Sequence, residues 1–193
     1  MPVDTMTALL LDSPGAPKTL RLGRVARPDP AKGQVRVAVQ ACGVNPVDGV
    51  LLRTGAAQWR WPHVPGLDIV GTIDAVGVEV SVSWIGARVA VHHDLRRPGG
   101  LAGAVCVDAA MIARVPANLT AAQAATAPCP GLTAVQVVTR SDIGPGSRVL
   151  VTGAGGAVGT FVCQLAVAAG AEVDAVASPG DLDRLARLGV RSP

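Results

Sequence analysis

The chain has 193 residues, 49% hydrophobic and 16% charged, with a formal net charge of +3. High apolar content and low net charge exclude a disordered chain, and 23 Gly with 15 Pro scattered without a period exclude collagen. The small positive excess forms no basic stripe interleaved with aromatics, so nucleic acid is not the expected partner.

At the N-terminus, Met1-Pro2-Val3-Asp4 lacks a basic leader region, and the apolar run Ala8 to Leu11 is too short for a signal peptide. Gln34 to Gln40 alternates polar and apolar residues with period two, the pattern of a half-buried strand. Ile69 to Gly77 reads as a second strand, with glycines where a bulge or a close backbone approach is expected. Ala87 to His92 and Ala104 to Val107 are the third and fourth. Short strands at irregular spacing predict a sandwich or a partly open barrel. The four cysteines, Cys42, Cys106, Cys129 and Cys163, lie far apart without a C-x-x-C and read as small buried hydrophobes.

Around Thr120 the texture changes. Thr120-Ala121-Ala122-Gln123 has the form of a capping box and opens an alanine-rich helix. Pro128-Cys129-Pro130-Gly131 is expected to break it, with a second helix from Leu132 to Arg140. Arg148 to Thr152 is a continuous strand that runs into Gly153-Ala154-Gly155-Gly156-Ala157-Val158-Gly159. A helix follows, with Val158, Phe161, Val162, Leu165 and Ala169 predicted on its buried face, and Val173 to Ala177 is the next strand. Strand, glycine turn, helix and strand within about thirty residues form the βαβ unit that cradles a dinucleotide. The glycines fit G-x-x-G-x-x-G as Gly153, Gly156 and Gly159, and the competing reading is a glycine-rich turn with no ligand. The second strand ends at Ser178, where NAD-specific units carry an acidic residue for the ribose diol, so NADPH is the expected cofactor. Arg184 and Arg187 could attract its extra phosphate, Asp181 and Asp183 oppose them, and a solvated helix face is the alternative. Glu172 and Asp174 cut short the most apolar region, so no membrane span is expected and a cytoplasmic setting follows.

Several stretches, in order and spacing, resemble the zinc-free quinone oxidoreductase-like branch of the medium-chain dehydrogenase/reductase superfamily. They are Gly43 to Asp48, Pro62 to Asp68, Pro98-Gly99-Gly100, Pro128 to Ala134, and the glycine turn at 153–159. The resemblance implies a mixed β and α/β chain: an N-terminal GroES-like, partly open β-barrel followed by an incomplete Rossmann βαβ unit. It places the barrel at 1–118, a helical connection at 119–147, and the truncated NAD(P)-binding part at 148–193. It further implies NADPH-dependent hydride transfer to a quinone or an activated enone. The relatives hold the cofactor between the two domains, with the equivalent of Asn45 as an amide donor beside nicotinamide and substrate. Thr133 would contact the nicotinamide through its hydroxyl, and Gly153, Ala154, Gly155, Gly156, Ala157, Val158, Gly159 and Ser178 would bind the cofactor. Trp59 and Trp61 either line a flat substrate pocket or pack as core or lid, and Asp48 caps the helix that follows it.

Zinc-dependent relatives have Cys at the Asn45 position and His-Glu at Leu67-Asp68. Leu67 cannot ligate, Asn45 is a poor ligand, and His92-His93 point to opposite faces of a strand, so no metal is expected. The chain departs from the family at Ala87, at Ala102-Gly103-Ala104, and at Asp174, a charged residue on an inner strand position. It stops after the second Rossmann strand and its helix, so Val149 to Val151 and Val173 to Val176 are expected to be partly bare. Self-association, or a partner chain completing the Rossmann domain, is the consequence. Three function classes stay open: a reductase or one half of a split reductase, a non-catalytic NADP-binding or interaction module, and a truncated remnant.

Overall fold

The computed structural model describes residues 4–191; Met1-Pro2-Val3, read above for a leader, and the last two residues lie outside the described residues. The chain divides into two compact units, Met1–Pro128 and Cys129–Pro193. The division falls inside the segment expected to be a helical connection.

The first unit opens with an antiparallel hairpin, β1 (Thr5–Leu10) and β2 (Arg21–Ala26), which the sequence reading did not single out. β2 contains no buried residue, so it has no apolar face to reveal it. Five further strands follow: β3 (Gln34–Gly43), β4 (Asp68–Val76), β5 (Arg88–His92), β6 (Ala104–Asp108) and β7 (Ala113–Arg114). They form one antiparallel sheet in the order β6-β3-β4-β5-β7. Period-two alternation puts Val35 and Val37 into a core with Ile69, Ile73, Val89, Val91 and Val107. Arg36 points to the other face, where its guanidinium holds Asp74 at 2.8 Å. β3 runs to Gly43, three residues beyond the alternating stretch, and its register with β4 shifts between Val39 and Ala41. That extension carries the chain to helix α1 (Pro46–Thr54).

Helix α2 (Ala121–Ala125) closes the unit with the expected capping box. The Thr120 hydroxyl accepts from the Gln123 N–H at 3.2 Å, and Gln123 Oε1 accepts from the Thr120 N–H at 2.9 Å. Helix α3 (Pro128–Arg140) corrects one expectation, because Pro128-Cys129-Pro130-Gly131 is its first turn rather than a break. Both prolines occupy positions whose N–H groups have no partner inside a helix, so their missing donors cost nothing there.

In the second unit, β8 (Arg148–Thr152) and β9 (Glu172–Val176) pair in parallel across helix α4 (Ala157–Ala168), and helix α5 (Leu182–Ala186) follows. The buried face of α4 is Val162, Cys163 and Ala166, packed on Val151, Val173 and Ala175. Of the expected stripe, Val162 is buried and Phe161 and Leu165 pack against this core, whereas Val158 stays open in the first turn and small Cys163 and Ala166 join the buried face. Leu150 and Val176 keep 63% and 47% of their surface, so the opposite face of the strand pair is bare. Asp174 is not an unpaired buried carboxylate, since it is only half-buried and faces Arg191 Nε at 3.8 Å. Among the described residues no helix is long and apolar enough to cross a membrane.

Ile69 is fully buried at the centre of the sheet and Val82 is largely exposed. Ile69→Ala is expected to lower unfolding stability by about 2–5 kcal/mol, and Val82→Ala by no more than about 0.5 kcal/mol. Urea unfolding of the two variants checks this; equal losses would show that the core lies elsewhere.

Candidate active site

Three strand ends meet at one carboxylate. In the register of β4 with its neighbours, Asp68 lies opposite Gly43 of β3 and opposite His92 of β5. Cross-strand partners stand within side-chain reach, so the imidazole of His92 comes directly onto Asp68. His92 Nδ1 lies 2.7 Å from Asp68 Oδ1. Two residues past Gly43, Asn45 Nδ2 donates to Asp68 Oδ2 at 2.9 Å. Asp68 is fully buried, Asn45 is half-buried, and the His92 side chain retains 35% of its surface.

Asn45 is also the N-cap of α1, and Asp48 is the third residue of that helix. The Asp48 carboxylate accepts from the Asn45 N–H at 2.7 Å, as a capping residue should. Burial pushes the Asp48 carboxyl above its usual range, while the bond from Asn45 opposes that shift. Burial, reinforced by Asp48 and Asp68, pushes the Cys42 thiol up to about 12, so no thiolate nucleophile forms there at neutral pH. His92 goes the other way from a buried base: its bond to Asp68 raises its pKa, and burial opposes.

The histidine pair does not converge. His93 is buried and its Nε2 lies 3.1 Å from the Pro98 carbonyl, whereas His92 faces Asp68. Burial holds His93 below its ordinary pKa. Trp59 is buried with Leu11 and Leu52, its indole N–H donates to the Leu95 carbonyl at 2.6 Å, and its ring stacks on His63 at 3.8 Å. Trp61 sits edge-on to Trp59 and stays 40% exposed.

In the second unit, Gly153 adopts φ +65°, which suits glycine, and the Gly156 N–H closes onto its carbonyl at 3.0 Å. A Cβ on Gly159 would stand 2.4 Å from the Gly153 carbonyl, so α4 starts against the turn only because that side chain is absent. Ala154 is fully buried, and its N–H donates to the Val176 carbonyl at the end of β9. Gly155 lies beneath the Asp181 carboxylate, and Gly156, the N-cap of α4, is exposed together with Ala157 and Val158. Arg184, considered above for a cofactor phosphate, donates to the Gly155 carbonyl, the Thr160 hydroxyl and Asp181, each within 2.9 Å. Ser178 is exposed just beyond β9, and its hydroxyl makes no capping bond to the turn Pro179–Asp181. Thr133 is exposed on α3 and its hydroxyl donates to the Cys129 carbonyl at 2.8 Å.

Of the residues picked from sequence, Asn45 is joined to a cluster, and the glycines form one turn. Asp68 entered the sequence reading only as the residue standing where zinc-dependent relatives carry Glu, and His92 only as half of a histidine pair that does not chelate. Their pairing shows in sequence solely as the ends of two strands, whose register the sequence does not display.

Comparison with known proteins agrees with this architecture. Residues 31–117 match the alcohol dehydrogenase GroES-like domain family. The chain is 38% identical over 165 residues to quinone oxidoreductase from Lama guanicoe, covering 83% of this chain and 49% of that one. A solved alcohol dehydrogenase superfamily protein from Novosphingobium aromaticivorans superposes with TM-score 0.90 at 36% identity, covering 97% of this chain and 58% of that one. A quinone oxidoreductase from Coxiella burnetii gives TM-score 0.89 at 29% identity, covering 98% and 62%. Residues 31–117 thus form an alcohol dehydrogenase GroES-like domain, and the chain as a whole is similar to the quinone oxidoreductase-like branch of the medium-chain dehydrogenase/reductase superfamily. It spans about half the length of the curated relatives it matches.

Burial pushes His63 down to about 4. The unfolded chain takes up this proton near the ordinary value, about 6.5, so stability is held above that pH and lost as pH falls toward 4. His92, with its raised pKa, acts oppositely and loses stability as pH rises. His63→Phe keeps the stacked ring and removes the titration. Urea unfolding at pH 5 and pH 7 is therefore expected to show the variant recovering about 1–2 kcal/mol at the lower pH relative to wild type. Identical pH dependence in both proteins would mean that His63 is not held neutral by its surroundings.

Proposed function

We propose that this chain carries the substrate-binding barrel and the first nucleotide-binding unit of an NADPH-dependent oxidoreductase that reduces a quinone or an activated enone without zinc. The observation that carries the reading is the glycine turn. Gly153 and Gly159 are required by the chain itself, whereas a Cβ on Gly156 would meet only the Gly153 carbonyl at 3.3 Å. Gly156 therefore leaves open the space in front of the first amides of α4, and those amides have no acceptor within the helix. Such a cradle fits a pyrophosphate.

When bound, the nicotinamide dinucleotide would supply the hydride. The residues from Gly153 to Gly159 would hold its phosphates, and Ser178 supports NADPH because no carboxylate stands at that position to repel a 2′-phosphate. Asn45 uses one Nδ2 hydrogen on Asp68 and keeps the other for a substrate or carboxamide oxygen. Thr133 would reach the nicotinamide by giving up its helix bond, and Trp61 would offer a flat wall to a planar substrate. The bare face at Leu150 and Val176 supports a second element of the reading, that the chain self-associates or takes a partner that covers these strands.

Calorimetric titration tests the cofactor assignment. NADPH is expected to bind more tightly than NADH, and Gly156→Asp to weaken NADPH at least about 100-fold by placing a side chain and a negative charge in the cradle. Unchanged affinity in the variant would remove the dinucleotide site.

Leu67 and Asn45 stand where zinc-dependent relatives ligate, and neither is a competent zinc ligand. Elemental analysis is expected to find well under one zinc per chain, with no shift of the unfolding transition on adding a chelator. Stoichiometric zinc would require a Lewis-acid mechanism instead.

A further inference from the structure

Hydride addition to an enone or quinone leaves an oxygen that must take up a proton. We propose that His92 is the proton donor to that oxygen and that Asp68 is its positioning residue. The inference rests on the hydride-transfer reading and names the group that completes it.

Geometry distinguishes His92 from the other two histidines. His63 is buried against Trp59, and His93 is buried against the Pro98 carbonyl; both are held neutral by burial. His92 is half-exposed, and among the described residues its Nε2 has no hydrogen-bond partner. The bond from Nδ1 to the buried Asp68 fixes the ring orientation and leaves Nε2 as the free edge. His92 borders an open cavity of about 490 Å³ that Leu95 and Met111 also line. Asn45 occupies the second oxygen of the same carboxylate, so an amide donor and an acidic imidazole are anchored to one buried group.

The charges facing His92 favour its protonated form. Asp68 on β4 and Asp48 on α1 both raise its affinity for a proton. Around the cavity, Arg96 pairs with Asp94 at 2.8 Å, and Asp108 is held by Arg97 at 3.1 Å, so these charges largely cancel. In the chemical step, hydride adds to the electrophilic carbon and the π pair moves onto oxygen. The Nε2–H bond of His92 then breaks as the O–H bond forms, leaving neutral imidazole that recovers its proton from water. The substrate would gain two electrons and two hydrogens, the hydride supplied by a bound dihydronicotinamide and the proton by His92.

The test joins nuclear magnetic resonance to kinetics on the full chain. In 15N-labelled protein the His92 imidazole is expected to titrate above the ordinary histidine value, and to fall in Asp68→Asn. With NADPH and either 1,4-benzoquinone or an α,β-unsaturated ketone, kcat is expected to fall as pH rises through that same midpoint. His92→Gln is expected to lower kcat about 10²–10⁴-fold with little change in KM, and added imidazole to restore part of the rate in His92→Ala. A structural role for His92 would give neither the matching pH profile nor the rescue. Turnover that survives His92→Gln with its pH profile intact overturns the proton-donor role alone. Absence of any NADPH-dependent turnover in the unsubstituted chain overturns the hydride-transfer reading and this role with it. Where a His92 variant fails to fold, the unsubstituted chain decides: a flat pH profile across the measured midpoint overturns the proposal.

Discussion

A carboxylate with no exposed surface must find donors for both of its oxygens, because removing an ion from water costs several kcal/mol unless partners replace the solvent. In the barrel unit that ion is Asp68, the first residue of β4. Its partners come from the end of β5 and from the turn after β3. A one-residue slip of either register would turn His92 away or move Asn45 out of reach. Sheet register, the start of α1 and the chemistry of His92 are therefore coupled through one side chain.

The second unit is governed by distance of approach rather than by charge. Helix α4 begins against the turn that ends β8, and Gly159 is what permits that contact. Arg184 then ties the Gly155 carbonyl to the Thr160 hydroxyl and to Asp181, so the turn is braced from the side of α5. A guanidinium that looks from sequence like a free phosphate ligand is here a structural tie. The exposed part of the turn is the part that packing does not consume.

The three histidines show how surroundings assign roles to one residue type. Two are packed without a charged partner and stay neutral, whereas one is placed beside a buried carboxylate and kept partly open. An imidazole placed beside a buried carboxylate is held ready to carry a proton, whereas one packed among apolar groups is not. The neighbouring Cys42 is silenced first by burial and then by the same two carboxylates that raise the proton affinity of His92, since negative charge opposes a thiolate and favours an imidazolium.

Local rules made much of this protein readable from its residues. Alternation along Gln34 to Gln40, the Thr120–Gln123 capping box and the glycine spacing at 153–159 each depend on neighbours within a few positions, and each formed as read. The hairpin strand Arg21–Ala26 escaped notice because no residue in it is buried, and Pro128 to Gly131 read as a break because proline ends helices as well as beginning them. The buried face of α4 includes Phe161, Val162 and Leu165 as read but not Val158, because periodicity alone does not say how far along an apolar helix its first turn is covered. The sequence by itself therefore determined most of the strands, the caps and the glycine turn, all products of short-range geometry. Only the tertiary structure decided that Asp68 faces Asn45 and His92, since that meeting depends on the register of three strand ends drawn from residues 43 to 92.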